Sequence, residues 1–264
     1  MTDKNTSFPS APQALLLVVA LYALEYAIGN LFADAQSTLA LTEPQEWALT
    51  SLLANGVVFA TVMQWKGLTY RELFHPAGTS MRGTAMALVP WVLLLVPALV
   101  LNITMIVNVV ARAFPLSPRE HELFDLMGGG DFATVLVGCA IAPVVEEMLF
   151  RGVILRGFLQ RYGRAPAIWG TAVLFGAAHL NLYQFVAALL MGAVCGWLYE
   201  RSRSLVPCIA LHAGYNSALE LLSNVASDDN SSQLTLSAGT WLASVLLAGL
   251  AVEMLRRAFA REQP

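Results

Sequence analysis

At 264 residues, 57% hydrophobic and only 12% charged, the chain is far more apolar than a soluble domain. Its net charge of −3 gives no reason to expect nucleic acid as a partner. Apolar runs of roughly 20 residues, the length of a membrane-spanning helix, recur along nearly its whole length. No stretch between them is long enough for a separate soluble domain. The reading is one membrane-embedded domain over 1–264, an all-α polytopic bundle of about eight transmembrane helices.

In chain order, the first span is expected near 13–33. Ala33-Asp34-Ala35 resembles a signal-peptide cleavage site, but the apolar run is long, carries Glu25 and follows a single lysine, so a retained helix is expected. A second span follows at 46–64. Residues 66–83 contain "TYRELFHP", an amphipathic stretch expected to lie along the cytoplasmic interface. The third span, 85–108, contains Pro90 and Pro97, which transmembrane helices tolerate where neighbours re-satisfy the backbone. A loop is expected over 109–131. The fourth span, 132–160, holds Pro143 and is long enough to project beyond the bilayer on one side. Spans at 165–181, 183–200 and 204–222 come next, then a polar, mobile loop at 223–237 and a last span at 238–256.

Lys and Arg set the orientation. With the N-terminus inside, inner segments carry Lys4, Lys66, Arg71, Arg82, Arg156, Arg161, Arg164, Arg201, Arg203, Arg256, Arg257 and Arg261, whereas outer loops carry only Arg112 and Arg119. The outer loops are acidic, with Asp34, Glu43, Glu120, Glu122, Asp125, Asp131, Asp228 and Asp229. Eight spans with both termini cytoplasmic, in a cell membrane, fit this asymmetry. Cys139, Cys195 and Cys208 fall within spans without metal-type spacing and read as small core residues.

Against this apolar background a few ionisable residues stand out: Glu146, Glu147 and Arg151 in "VVEEMLFRG", His179 in "LFGAAH", and His212 with Asn216 in "LHAGYN". Such groups at bilayer depth are costly and mark pathways or reaction sites. Counted from the cytoplasmic ends of their spans at about 1.5 Å per residue, Glu146 and His179 lie roughly 22 and 21 Å up, and His212 and Asn216 roughly 12 and 18 Å. All four can occupy one layer. Glu147 and Arg151 are i,i+4 in the favoured order for an ion pair. Adjacent Glu146 points about 100° away. Glu147–Arg151 therefore reads as structural support and Glu146 as the working carboxylate, with Phe175 one turn before His179.

These groups suit attack of water on a carbonyl. A carboxylate in an apolar cavity can act as general base. One imidazole can hold the water or protonate the leaving amine. A second imidazole and a carboxamide can donate to the developing oxyanion. Taken singly, a membrane His or Asn is more often a helix–helix hydrogen-bonding residue, and Glu25 and Glu220 are read as structural or interfacial.

"EEMLFR", "FGAAH" and "HAGYN" match the patterns EExxxR, FxxxH and HxxxN. Together they resemble the CPBP family of CAAX proteases and bacteriocin-processing enzymes, also called Abi, over roughly 130–222. The resemblance implies an intramembrane glutamic endopeptidase of eight helices with a cavity open to the cytoplasm. It also implies that Glu146 and His179 activate water while His212 and Asn216 form the oxyanion site; the residues themselves, Asn216 above all, favour chemistry with no cofactor.

Alternatives remain. Glu146, His179 and His212 could form a zinc site with an open position, although Asn216 favours metal-free chemistry. A non-catalytic bacteriocin-immunity or scaffold protein could keep the same fold. No H-E-x-x-H string occurs, and the presenilin-like strings at 128–131 and 97–99 are in the wrong order. Membrane lipids and a membrane-anchored or C-terminal-tail peptide substrate are the expected partners. The short loops suggest a bacterial source.

Overall fold

The computed structural model describes residues 7–76, 78–127, 132–228 and 237–261. Lys4, Asp131 and Asp229, the string 128–131 and most of the expected polar loop lie outside the described residues, as do the side chains of Asp125, Asp228 and Arg261. The fold is 87% helical, with no strand among the described residues.

Each expected span is a helix. They are α1 (Ala11–Leu39), α2 (Glu43–Lys66), the short α3 (Tyr70–Phe74), α4 (Met81–Ala113), α5 (Pro118–Met127), α6 (Phe132–Arg161), α7 (Arg164–Ala177), α8 (Leu182–Ser202), α9 (Val206–Asp228) and α10 (Ala238–Arg261). Six of them (α1, α2, α4, α6, α8 and α10) are long and apolar enough to cross a membrane. At 14 residues, or about 21 Å, α7 is shorter than a hydrocarbon core of about 30 Å. In α9 the apolar run is interrupted by His212, Asn216 and Glu220.

Two departures from expectation have local causes. The loop expected at 109–131 holds α5, because Ser117 and Glu120 form a reciprocal cap: the Ser117 N–H and hydroxyl donate to Glu120 Oε2, both at 2.7 Å. The amphipathic stretch holds α3, capped the same way by Thr69 and Glu72. The bonds from the Thr69 backbone and hydroxyl hold the Glu72 carboxyl below the usual carboxylate range. Elsewhere the chain is punctuated as sequence signals would have it. Gly67 ends α2 at φ 61°, the left-handed cap that glycine supplies. Asn181 Oδ1 accepts from the N–H groups of Tyr183 and Gln184 and starts α8.

The packing places the site. Antiparallel α7 and α8 form a close hairpin, α9 and α10 both lie on α4, and α1 pairs with α2. Small residues permit the α7–α8 approach: a Cβ on Gly192 would meet Ala172 Cα at 3.1 Å and Phe175 Cδ1 at 3.2 Å. Many of the basic residues gather at one end of the bundle. There Arg156 donates to the Glu72 carbonyl, Arg161 to the Ser7 carbonyl, Arg164 pairs with Glu200, and Lys66 lies over the rings of Phe8 and Trp65.

Candidate active site

α6 carries the two carboxylates and is not a regular α-helix. Val137–Ile141 and Met148–Leu155 are π-helical, with the α-helical turn Ala142–Glu147 between them. Such wide turns recur at functional sites. Glu146 and Glu147 close the α-helical turn, and Arg151 sits in the π-helical stretch that follows.

The adjacent carboxylates have different surroundings. Glu147 and Arg151 are both 0% exposed, and Arg151 Nη1 donates to Glu147 Oε1 at 2.8 Å. Arg151 Nη2 reaches the Gly192 carbonyl on α8 at 3.1 Å, and its guanidinium lies 4.6 Å from the Phe175 ring centre. The same Glu147 Oε1 takes a second bond, at 3.0 Å, from His212 Nδ1. The His212 proton is thereby fixed on Nδ1, with Nε2 turned towards Glu146, 3.8 Å from Oε2. That distance is too long for a direct hydrogen bond but leaves both atoms in reach of one small molecule beside them. Glu146 keeps 30% of its side-chain surface exposed.

His179 stands in the turn after α7 rather than on the helix itself. Its Nδ1 donates to the Phe175 carbonyl at 3.0 Å, so in the neutral ring Nε2 is the free acceptor. Phe175 links the two imidazoles: its ring centre is 5.1 Å from that of His179 and 5.7 Å from that of His212, edge-on in both cases. Asn216, one turn beyond His212 on α9, donates through Nδ2 to the Gly138 carbonyl at 2.7 Å. Gly138 lies in the first π-helical stretch, so α9 and α6 are joined at both motif residues of α9.

The structure thus gathers Glu146, Glu147, Arg151 and His212 through direct polar contacts and near approaches. His179 joins them through Phe175, and Asn216 through Gly138. Two residues on α1 also face this region, which a local reading of the sequence does not reveal. Tyr22 donates its hydroxyl to the Ala178 carbonyl, next to His179. Glu25, read above as structural or interfacial, is partly buried three residues further along α1. Their i,i+3 spacing was the available signal, since it puts both on one face of α1.

No group of three His, Cys, Asp or Glu side chains among the described residues comes together as a metal site. A surface cleft lined by Arg164, Ala165, Ile168, Trp169, Ala193 and Trp197 lies on α7 and α8 and includes none of the site residues.

Paired glutamates and a buried arginine on α6 thus meet an imidazole on α9 and, through Phe175, a second one in the turn after α7. Residues 129–218 match the family model described as type II CAAX prenyl endopeptidase Rce1-like. The match bears out the resemblance read from the motifs. The Rce1-like segment runs from just before α6 into α9 and contains all seven residues singled out above. It supports an intramembrane CAAX-type endopeptidase in general, acting in a membrane on a protein or peptide, and a multi-pass membrane protein. No curated protein and no solved structure matches the chain.

Proposed function

We propose that the protein is a metal-independent glutamic endopeptidase that hydrolyses a peptide bond of a membrane-associated protein or peptide. The observation that carries this reading is the Glu147 network. One fully buried carboxylate binds both Arg151 and His212 Nδ1, which leaves the neighbouring Glu146 unpaired by arginine and opposite His212 Nε2.

In this mechanism a water held by Glu146 and the free Nε2 of His179 attacks the substrate carbonyl, and Glu146 takes its proton. The carbonyl oxygen becomes an oxyanion facing His212 and Asn216. Asn216 uses one amide hydrogen on Gly138 and has its second for the oxyanion. His212 can donate from Nε2 only when doubly protonated, with Nδ1–H still on Glu147. The tetrahedral intermediate then collapses, the C–N bond breaks, and Glu146 returns its proton to the leaving amine. Each well-placed oxyanion donor contributes about 3–4 kcal/mol to such a step.

A substrate held by the membrane suits this site, because the reacting groups lie on helices packed inside an apolar bundle. The basic end of the bundle is read as cytoplasmic by the positive-inside rule, with both termini on that side and the cavity opening there. The short loops favour a bacterial cell membrane.

The test compares peptide termini, in membranes and medium, of source cells expressing wild type or Glu146→Gln at equal membrane levels. Termini present with wild type and missing in the variant identify the substrate and assign Glu146 to the reaction. Identical termini would replace this reading with a bacteriocin-immunity or scaffold role for the same fold.

A further inference from the structure

α1 lies outside the Rce1-like segment and is mostly exposed, yet one of its side chains touches the site. The Tyr22 hydroxyl donates to the Ala178 carbonyl across 156 residues of chain. Ala178 caps the end of α7, where backbone carbonyls have no partner within the helix. His179 N–H bonds back to the Gly176 carbonyl at 3.1 Å, and Leu180 N–H to the Ala177 carbonyl at 3.2 Å. Leu180 then takes the left-handed conformation, φ 53°, before Asn181 starts α8. Gly176 and Ala177 are thus satisfied within the turn, whereas Ala178 is satisfied from another helix.

The position of His179 depends on this turn. Its ring is tied by Nδ1 to the Phe175 carbonyl at one side, and its backbone follows directly on the carbonyl that Tyr22 holds. The bond from Tyr22 turns its face of α1 towards this end of the site. Tyr26, one turn beyond Tyr22, is 76% exposed and so serves as a comparison position on the same helix.

We propose that Tyr22 is a positioning residue for His179: its hydroxyl, by holding the Ala178 carbonyl, fixes the turn on which the imidazole meets the attacking water. The proposal deepens the peptidase reading and rests on it, since His179 matters only if it handles that water. It adds α1 as a wall of the site, beyond the helices that bear the motifs. A small displacement of a water-orienting group is enough to slow a reaction by orders of magnitude, because rate depends on near-attack geometry.

The experiment uses the full chain in detergent micelles, labelled with 15N at its four histidines, with the His179 signals assigned by loss in His179→Gln. Tyr22→Phe removes one oxygen and should shift the His179 ring signals while leaving those of His75, held by Thr79, in place as a check on folding. Tyr26→Phe should change neither. On a synthetic peptide spanning the junction found in the terminus comparison, Tyr22→Phe should lower kcat about tenfold or more with KM within about twofold. Unshifted His179 signals in Tyr22→Phe, or shifted signals with unchanged kcat, would overturn the proposal. Continued cleavage by Glu146→Gln would instead overturn the peptidase reading, whatever the histidine spectra show.

Discussion

Two neighbouring glutamates owe their different surroundings to about 100° of helix rotation. Glu147 turns into the bundle, where Arg151 and His212 share one of its oxygens, and Glu146 turns to the open side. A buried ion pair is weak evidence of net stabilisation, but breaking it from one side is expensive, about 3–5 kcal/mol, because the remaining charge is stranded. Arg151→Met should therefore sharply lower the thermal unfolding temperature in detergent. Adding Glu147→Gln to it should restore much of the loss, since the stranded charge is gone. Cleavage should stay absent in the double variant, because His212 Nδ1 no longer meets a carboxylate. Glu146→Gln should leave the unfolding temperature unchanged while abolishing cleavage. Unfolding curves for wild type, these three variants and Glu147→Gln alone check the set, and additive losses in the double variant would contradict the stranded-charge account.

At the scale of the element, the helices converge because small residues sit where they cross. Gly192 has two duties: it lets α8 lie against Ala172 and Phe175 of α7, and its carbonyl takes the second arm of Arg151. Gly192→Leu should wedge the hairpin open and displace Phe175 from its place between the two imidazoles. The expected result is loss of both folded yield and cleavage, read by size-exclusion profile and peptide assay; Gly249→Leu, where a Cβ would meet nothing, is the control. The sequence made the hairpin and the other spans legible, because apolar length and the Lys/Arg bias are set by local composition. It also made legible that Glu147, with Arg151 four residues on, could form the pair. The π-helical turns of α6 were not legible. Nothing local in "VGCAI" or "MLFRGVIL" marks them, and the bond from Asn216 to Gly138 spans 78 residues. Tyr22 was hidden for the same reason, its partner being a backbone carbonyl on another helix. The placement of His179 in the turn beyond α7 is a matter of where a helix ends, and helix ends are read from sequence only to within a few residues.

For the whole molecule, the controlling asymmetry is of charge. Lys66, Arg156, Arg161 and Arg164 meet at one end of the bundle, where they contact Phe8, Trp65, Ser7, Glu72 and Glu200. The acidic cap of α5, built on Glu120, follows the end of α4 that leads away from α3. Since α4 starts at Met81, just past α3, and runs 33 residues, about 50 Å, the two ends lie on opposite sides of a bilayer. Moving lysine or arginine across the membrane during insertion is disfavoured, so the basic end should be cytoplasmic. Alkaline phosphatase fused after residue 79 in a bacterial host should then be inactive, and fused after residue 116 it should be active. The reverse pattern would put the basic end outside and, with it, the proposed entry to the site. The same fusions bear on the substrate, because α7 begins at the basic end with Arg164 and delivers His179 only after about 21 Å of helix. In the proposed mechanism, a peptide entering from the cytoplasm would therefore have to extend well into the bundle before its carbonyl meets Glu146, as a membrane-anchored segment or a flexible C-terminal tail can and a folded domain cannot.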